Sequence, residues 1–401
     1  MKKVLSLLLC ALLLLPCAAL ADATATDLAD TADVLVCNGG SFCLAVCADG
    51  TVLGWGDGRH GELGIAARKE YYRPVECATG LDGRQIRDIQ GGNNNTVYLL
   101  KDGTVYTSGI ASHGAQGCGV SKKSNNVPTQ VPGLTGIVQI GAGFGQCAAL
   151  DSDGHVWCWG RSNYGQVGDG SKTDRWKPVQ LSLENIVQVA CGGKHCIALD
   201  SEGRLWGWGQ NEKGELGSRK NGKAITSPRV ITEAADIDIA AIAAGTETIF
   251  LLDTEGRVWS MGWNRYYQLG CESFTGPCSE TPVQVSIPEP VREVCAYSSH
   301  VMAITTSGNV YIWGNTSHGQ LGTGVTTTRS MPVLSWDRGN AVSGSVGSLV
   351  VTMYTTDGDV IVTGFNRRGQ LGYKTGRECR FWKANGVNLY TSTVVEAWSV
   401  Q

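Results

Sequence analysis

The sequence predicts an all-β fold, a seven-bladed β-propeller with four-stranded blades, and three observations carry that expectation. First, the unit seen at Ser201 to Gly217 recurs over Ala48 to Gly64, Lys101 to Gly117, Ser152 to Gly168, Thr254 to Gly270, Thr306 to Gly322 and Thr356 to Gly372. Its turn glycines, Gly50, Gly103, Gly154, Gly203, Gly256, Gly308 and Gly358, follow one another at steps of 49 to 53 residues, a period that belongs to solenoids and propellers. Second, an acidic residue followed by Gly separates two apolar runs in six of the seven copies, which is a strong hairpin signal. Third, the chain has 54 Gly, and its 12 Trp outnumber its 6 Phe; that composition suits tight turns between stacked sheets rather than helices.

Taken in order, the chain opens with Lys2 and Lys3, an apolar run from Val4 to Leu15, Pro16, and the small-residue ending Ala19-Leu20-Ala21. These are the three zones of a secretory signal peptide, so residues 1–21 are read as a signal, 22–32 as a leader, and 33–401 as the propeller. The apolar run is shorter than a bilayer span and no later stretch is long enough, so no membrane insertion is expected after signal removal. Leu14-Leu15-Pro16 ahead of Cys17 fits a lipidation signal poorly. The short Lys-Lys signal points to a bacterial, secreted or cell-envelope protein. Loss of Lys2 and Lys3 takes the formal charge from −3 to −5, which gives a nucleic-acid partner no basic surface to meet.

Of 15 cysteines, 13 remain once Cys10 and Cys17 leave with the signal. An exported chain should pair some of them, and an odd count leaves at least one over. Cys271 and Cys278 bracket a short loop and are the disulfide candidate. Cys43, Cys147 and Cys196 fall at one equivalent strand position and are read as small buried hydrophobes. The mature chain has no Cys-x-x-Cys, so a zinc ribbon or thioredoxin-like site is not expected.

Each copy runs as an apolar strand, a Gly-containing loop, a strand, a two-residue turn, a strand, a Gly-bounded loop, and then a segment marked by Pro. Asp49, Asp102, Asp153, Glu202, Glu255 and Asp357, with Ser307 as the exception, fill the turn position, where Gly accepts positive φ and the acid serves turn chemistry. The strand after the turn is apolar on both faces, as in Leu205 to Trp208, so it must be covered on both sides. Trp55, Trp159, Trp208 and Trp313, with Met261 in the fifth copy, are therefore expected between blades rather than as ligand platforms. Pro74, Pro128, Pro178, Pro228, Pro282 and Pro332 are expected to start the edge strand, where a missing N–H costs nothing; Trp382 stands there in the seventh copy. The two ends of the chain are expected to close the ring by meeting in one shared blade. Val394 to Val400 finds no place in this count.

The recurring Asp-Gly-x-Val-x-x-Trp-Gly-x-Asn-x-x-Gly-Gln-Leu-Gly, seen in Ser307 to Gly322 and Asp357 to Gly372 apart from Ser307 and Thr363, resembles the signature of the regulator of chromosome condensation repeat family. Tyr267 departs from it by replacing the loop Gly of the fifth copy. The resemblance implies a propeller used as a binding scaffold. The family's best-known member is a nuclear exchange factor for a small GTPase, but a small GTPase partner is not supported for a chain with an export signal and no basic tail. Exported bacterial propellers of this look include protein inhibitors of β-lactamases, which makes an inhibitor or adhesive binder the closer analogy.

Strand parity places the two Gly-containing loops of every copy on one face and all the Asp-Gly turns on the other. Varied loops on a rigid scaffold are where binding residues concentrate. The residues preceding the loop Gly, or its replacement, are His60, His113, Tyr164, Lys213, Tyr266, His318 and Arg368; the other loop contributes Phe144, Lys194 and His195. Together they predict an aromatic and cationic ring around the channel mouth, a composition enriched at protein-binding hot spots. His60, His113 and His318 sit in copies one, two and six, too far apart for one ion, so no metal or other cofactor is expected.

No Gly-x-Ser-x-Gly, His-Glu-x-x-His or phosphate-binding loop occurs. Asp236, Asp238, Glu184 and Asp169 are acids outside the turns, and nothing in the sequence pairs them across a substrate as a glycosidase needs. The chain is therefore read as a secreted, non-enzymatic protein binder. The alternatives are a carbohydrate-binding module, for which Tyr71, Tyr72 and Trp176 should form a flat stacking platform, and an extracellular propeller hydrolase or lyase.

Overall fold

The computed structural model describes residues 33–119, 124–373 and 378–390. The expected signal and leader and the Val394–Val400 stretch lie outside the described residues. Among the described residues, twenty-eight strands form seven four-stranded antiparallel sheets, each in simple chain order. The fourth blade shows how a copy folds. Its strands are Ile186–Cys191, His195–Asp200, Leu205–Gln210 and Ala224–Val230, running from the channel to the outer edge. Its second strand is buried throughout, because one sheet face meets the preceding blade and the other the following one.

In blades one and two the marked acids serve the turn as expected, Asp49 accepting Thr51 N–H at 2.8 Å and Asp102 Thr104 N–H at 2.9 Å, but in blades three to five a different acid builds it. Asp200, which ends the second strand, accepts the backbone N–H groups of Glu202 and Arg204 at 3.0 and 2.9 Å and the Trp206 indole N–H at 2.9 Å. Asp151 and Asp253 do the same in blades three and five. Burial pushes the Asp200 carboxyl up, but these hydrogen bonds and the Arg204 guanidinium outweigh it and hold the group below its ordinary value.

Tryptophans staple neighbouring blades as expected. Trp55, Trp159, Trp208 and Trp313 are fully buried, and each indole N–H donates to a loop carbonyl of the preceding blade: Gln370 O at 2.8 Å, Ala115 O at 3.1 Å, Gln166 O at 2.9 Å and Gln268 O at 2.8 Å. A buried indole keeps its polar atom satisfied only if such an acceptor is in place, so one side chain both fills the inter-blade space and fixes the loop beside it. In blade two a smaller residue at this position, Ser108, reaches the Glu62 carbonyl at 3.3 Å with its hydroxyl.

Two expectations are corrected. The prolines do not start the outer strands; they lie inside them, at a break in register. In blade four Gly207 pairs with Arg229 and Gly209 with Ile225, so Pro228 occupies the irregular span where no ladder bond is lost. Nor, among the described residues, do the first and last strands share a blade. The first blade is the consecutive stretch Leu35–Asn38, Phe42–Val46, Val52–Asp57 and Glu70–Glu76, and the seventh is Ala341–Val346, Val350–Thr355, Asp359–Gly364 and Glu378–Asn388. The ring closes between these N- and C-terminal blades. Asn38 receives Thr352 Oγ1 at 3.0 Å and gives its own N–H and side-chain amide to Ser345 at 2.9 and 2.7 Å.

The channel mouth on the loop face is capped. Phe144 of blade three and Tyr297 of blade six come from opposite sides of the ring, and their ring centroids are 5.5 Å apart. Cys43, Cys147 and Cys196 are fully buried, as expected. Cys271 and Cys278 are not bonded; Cys271 Sγ lies 3.3 Å from Ser273 Oγ instead.

Candidate functional site

Six of the seven loops between the third and outer strands are held by one device; in blade two Gln116 instead donates its side-chain amide to Gly109 O at 2.7 Å. The backbone N–H of the residue before the loop Gly donates to a buried Gln or Glu two positions ahead: His60 to Glu62, Tyr164 to Gln166, Lys213 to Glu215, Tyr266 to Gln268, His318 to Gln320 and Arg368 to Gln370, at 2.7 to 2.9 Å. This acceptor was legible as the recurring Gly-Gln-Leu-Gly or Gly-Glu-Leu-Gly. Where it is Glu the cost is visible: Glu215 is fully buried, its Oε1 has no partner, and burial, with the nearby Glu247 and Glu212, pushes its carboxyl up to about 8.

The rim residues expected from the sequence do not form one uniform ring. In blades three to five they interlock through rings and cations. Lys194 Nζ stands 5.0 Å from the centre of the Tyr164 ring, and Lys213 Nζ 5.7 Å from that of Trp263. Trp263 meets Tyr266 edge-on at 5.6 Å. All five side chains are partly exposed. His318 packs similarly against Phe365 at 5.0 Å.

Elsewhere the same positions are occupied by structural duties. Arg368 pairs with Glu70 and approaches Asp57 at 4.0 Å, across the seam between blades seven and one. His113 Nδ1 contacts Asp174 at 2.7 Å. Phe144 belongs to the channel cap. His195 is corrected outright: it begins the second strand and is fully buried, where desolvation pulls its imidazole down to about 4, so it cannot contact a partner from the rim.

His60 lies near Asp57 and Glu62, with ligand-type atoms within 4.8 Å of one another. Both Asp57 oxygens are engaged by the Arg59 guanidinium at 2.8 and 2.7 Å, and Glu62 Oε2 takes the His60 N–H; the group is already neutralised internally. His113 and His318 are not brought to it. The carbohydrate platform does not form either. Tyr71 is buried with its hydroxyl on Ala67 O at 3.2 Å, and Trp176 lies two blades away. Among the acids considered for catalysis, Asp169 is tied to Arg175, while Asp236 and Asp238 line a hollow whose other acids are engaged: Asp253 and Glu255 by Arg257, and Glu233 by the Ser218 N–H.

Sequence reasoning singled out neither Trp263 nor the conformation of Tyr267. Tyr267 occupies the place of Gly61, Gly114, Gly165, Gly214, Gly319 and Gly369, which all have positive φ, and itself takes φ 61°. A bulky residue in that region is strained, yet its side chain is 44% exposed beside Tyr266. The signal was present as the departure at Tyr267 from the repeat pattern.

An RCC1-like domain profile matches residues 135–397, and a regulator of chromosome condensation (RCC1) repeat profile matches 49–99. The chain is 30% identical to the ultraviolet-B receptor UVR8 of Arabidopsis thaliana over 288 residues, 70% of this chain and 64% of the receptor. It is 33% identical to the X-linked retinitis pigmentosa GTPase regulator of Homo sapiens over 293 residues, 72% of this chain and 28% of the regulator. The chain thus spans less than two thirds of either relative. The solved structure of Prp20p from Saccharomyces cerevisiae superposes with a TM-score of 0.72 over 90% of this chain and 89% of that one, at 21% identity, which bears on fold alone. By its repeats, its seven blades and these matches, the chain belongs to the family of RCC1-like domain proteins.

Proposed function

We propose that the chain is an exported, non-catalytic scaffold that binds another protein through the loop face of blades three to five, in the manner of an inhibitor or adhesive binder. The observation that carries this reading is Tyr267. A tyrosine held at positive φ costs roughly 1 kcal/mol against Gly, and strain of this kind gathers at functional sites. Here it displays an aromatic ring next in the chain to Tyr266, which itself meets Trp263 under Lys213, a mixture typical of protein-binding anchors. The relatives that are named as a receptor and a GTPase regulator agree with a role in recognition. Export is supported by the signal-like stretch of residues 1–21.

The test separates display from structure. Tyr267→Gly restores the residue that six blades use, so it should raise the unfolding midpoint while weakening capture of the partner by about tenfold or more, roughly 1.4 kcal/mol. A pull-down from envelope and culture-medium proteins, followed by titration with the recovered protein, reads this directly. Unchanged affinity in Tyr267→Gly and in the Tyr164→Ala/Tyr266→Ala double variant would remove this arc from the site.

A further inference from the structure

Cys191 ends the innermost strand of blade four and pairs directly with Cys196 on the second strand. The next pair outward is closed by a hydrogen bond, Gly192 N–H to His195 O at 2.8 Å, so the cysteines occupy a non-hydrogen-bonded site of the ladder. At such sites the Cα atoms approach to about 4.5 Å and the side chains lie closest, within the span that a disulfide bridges. The two Sγ atoms are already 3.1 Å apart. The equivalent pairs in the other blades are Asn38 with Cys43, Gly91 with Thr96, Ala142 with Cys147, Ala244 with Ile249, Ala296 with Val301 and Val346 with Val351. Only blade four places a thiol on both sides.

The two thiols also differ in access. Cys196 is fully buried and directs its Sγ toward Gln166 O at 3.7 Å, whereas Cys191 is partly exposed. The cysteines of blade three that neighbour Cys191, Cys147 and Cys158, are both buried, and the Cys147 sulfur lies 3.5 Å from Asn95 Nδ2 and from Ala115 O.

We propose that Cys191 and Cys196 form a reversible cross-strand disulfide that clamps the rim loop carrying Lys194. The oxidant is a disulfide of the glutathione class. Cys191 Sγ attacks one of its sulfurs, forming a mixed disulfide and expelling one thiol. Cys196 Sγ then attacks Cys191 Sγ; the intramolecular S–S bond forms and the second thiol leaves. Both protein protons end on the two released thiols, and the two electrons lost by the protein sulfurs reduce the oxidant. The order follows from access, because only Cys191 can meet an external disulfide.

The clamp has a defined reach. The four-residue loop between the cysteines holds Lys194 over Tyr164, and Gly193 links blades three, four and five by accepting Phe144 N–H at 3.2 Å and donating to Gly245 O at 3.1 Å. Closing the disulfide fixes both ends of that loop. Formation of the bond does not depend on the rim being a partner site.

The experiment incubates the purified chain with oxidised glutathione or with dithiothreitol, alkylates the remaining thiols in denaturant, and maps the peptides by mass spectrometry. The oxidised sample should contain Cys191 joined to Cys196, about 2 Da lighter than the two thiols, and its melting temperature should rise by about 2 °C over the reduced sample. Cys191→Ser, at a partly exposed position, should fold and lose both the cross-link and the oxidant-dependent shift. Equal alkylation of both cysteines in the two samples, glutathione retained on Cys191, or Cys191 joined to Cys147 would each overturn the proposal.

Discussion

Two arcs of the same loop face use equivalent backbone positions for opposite purposes. Around blades three to five, Lys194 and Lys213 rest over aromatic rings and leave those rings partly open to solvent. At the seam of blades seven and one, Arg368 is taken by Glu70, and Arg59 by Asp57. Both arcs hold their loop tips by the same backbone-to-Gln or backbone-to-Glu bond, so the scaffold does not distinguish them. The cross-blade partner does: a carboxylate converts a rim cation into part of the closure, while an aromatic ring leaves it on display.

The strongest test of this contrast is at the seam. Trp55→Ala removes a fully buried indole and its bond to Gln370 O and should cost about 3–5 kcal/mol, read by chemical denaturation. Tyr266→Ala, in the open arc, should stay within about 1 kcal/mol. Equal costs would mean that the displayed aromatics are structural after all.

A second test uses acidity. The Glu215 carboxyl titrates near 8 in the folded chain against about 4.3 when unfolded. The folded state therefore binds the proton more tightly; the stabilisation is complete below the unfolded value and is lost as pH rises through the folded one. Relative to Glu215→Gln, which copies Gln166, Gln268, Gln320 and Gln370, the parent should lose on the order of 3 kcal/mol between about pH 5 and pH 9. Melting curves across that range check it, and parallel curves for the two proteins would rule it out.

The smallest effect is expected at Arg368. Its side chain keeps 31% exposure, so Arg368→Ala should cost less than about 1 kcal/mol, and salt should shrink the difference. A larger, salt-independent loss would show that the seam relies on this pair more than on Trp55.

The fold was legible because its signals are local and repeated. The acid-Gly turns, the doubly covered strand and the Trp positions each follow from a few adjacent residues, and all recur at one spacing. Rim positions were legible as offsets from the loop Gly, but their duties were not. Arg368 finds Glu70 and His113 finds Asp174 across blade boundaries, and no local pattern announces such a meeting. His195 was misplaced because the loop and the strand that follows it join at that residue, and a shift of one position turns an exposed side chain into a buried one. In blades three to five the hairpin acid stands two positions before the one the turn pattern marks, since Asp200 acts on Glu202, Arg204 and Trp206 from outside the two-residue turn.

Each blade being one uninterrupted stretch has a consequence for how the gene can be cut. No blade needs strands from two distant parts of the chain, so the succession of blades is a cyclic order with an arbitrary starting point. A circular permutant opened between Gln130 and Ile137, with a linker across the seam of blades seven and one, would keep every sheet whole and leave each inter-blade tryptophan beside its carbonyl. The blade is then the unit of inheritance as well as of folding, a cassette that can be moved, duplicated or exchanged while the loops it carries travel with it.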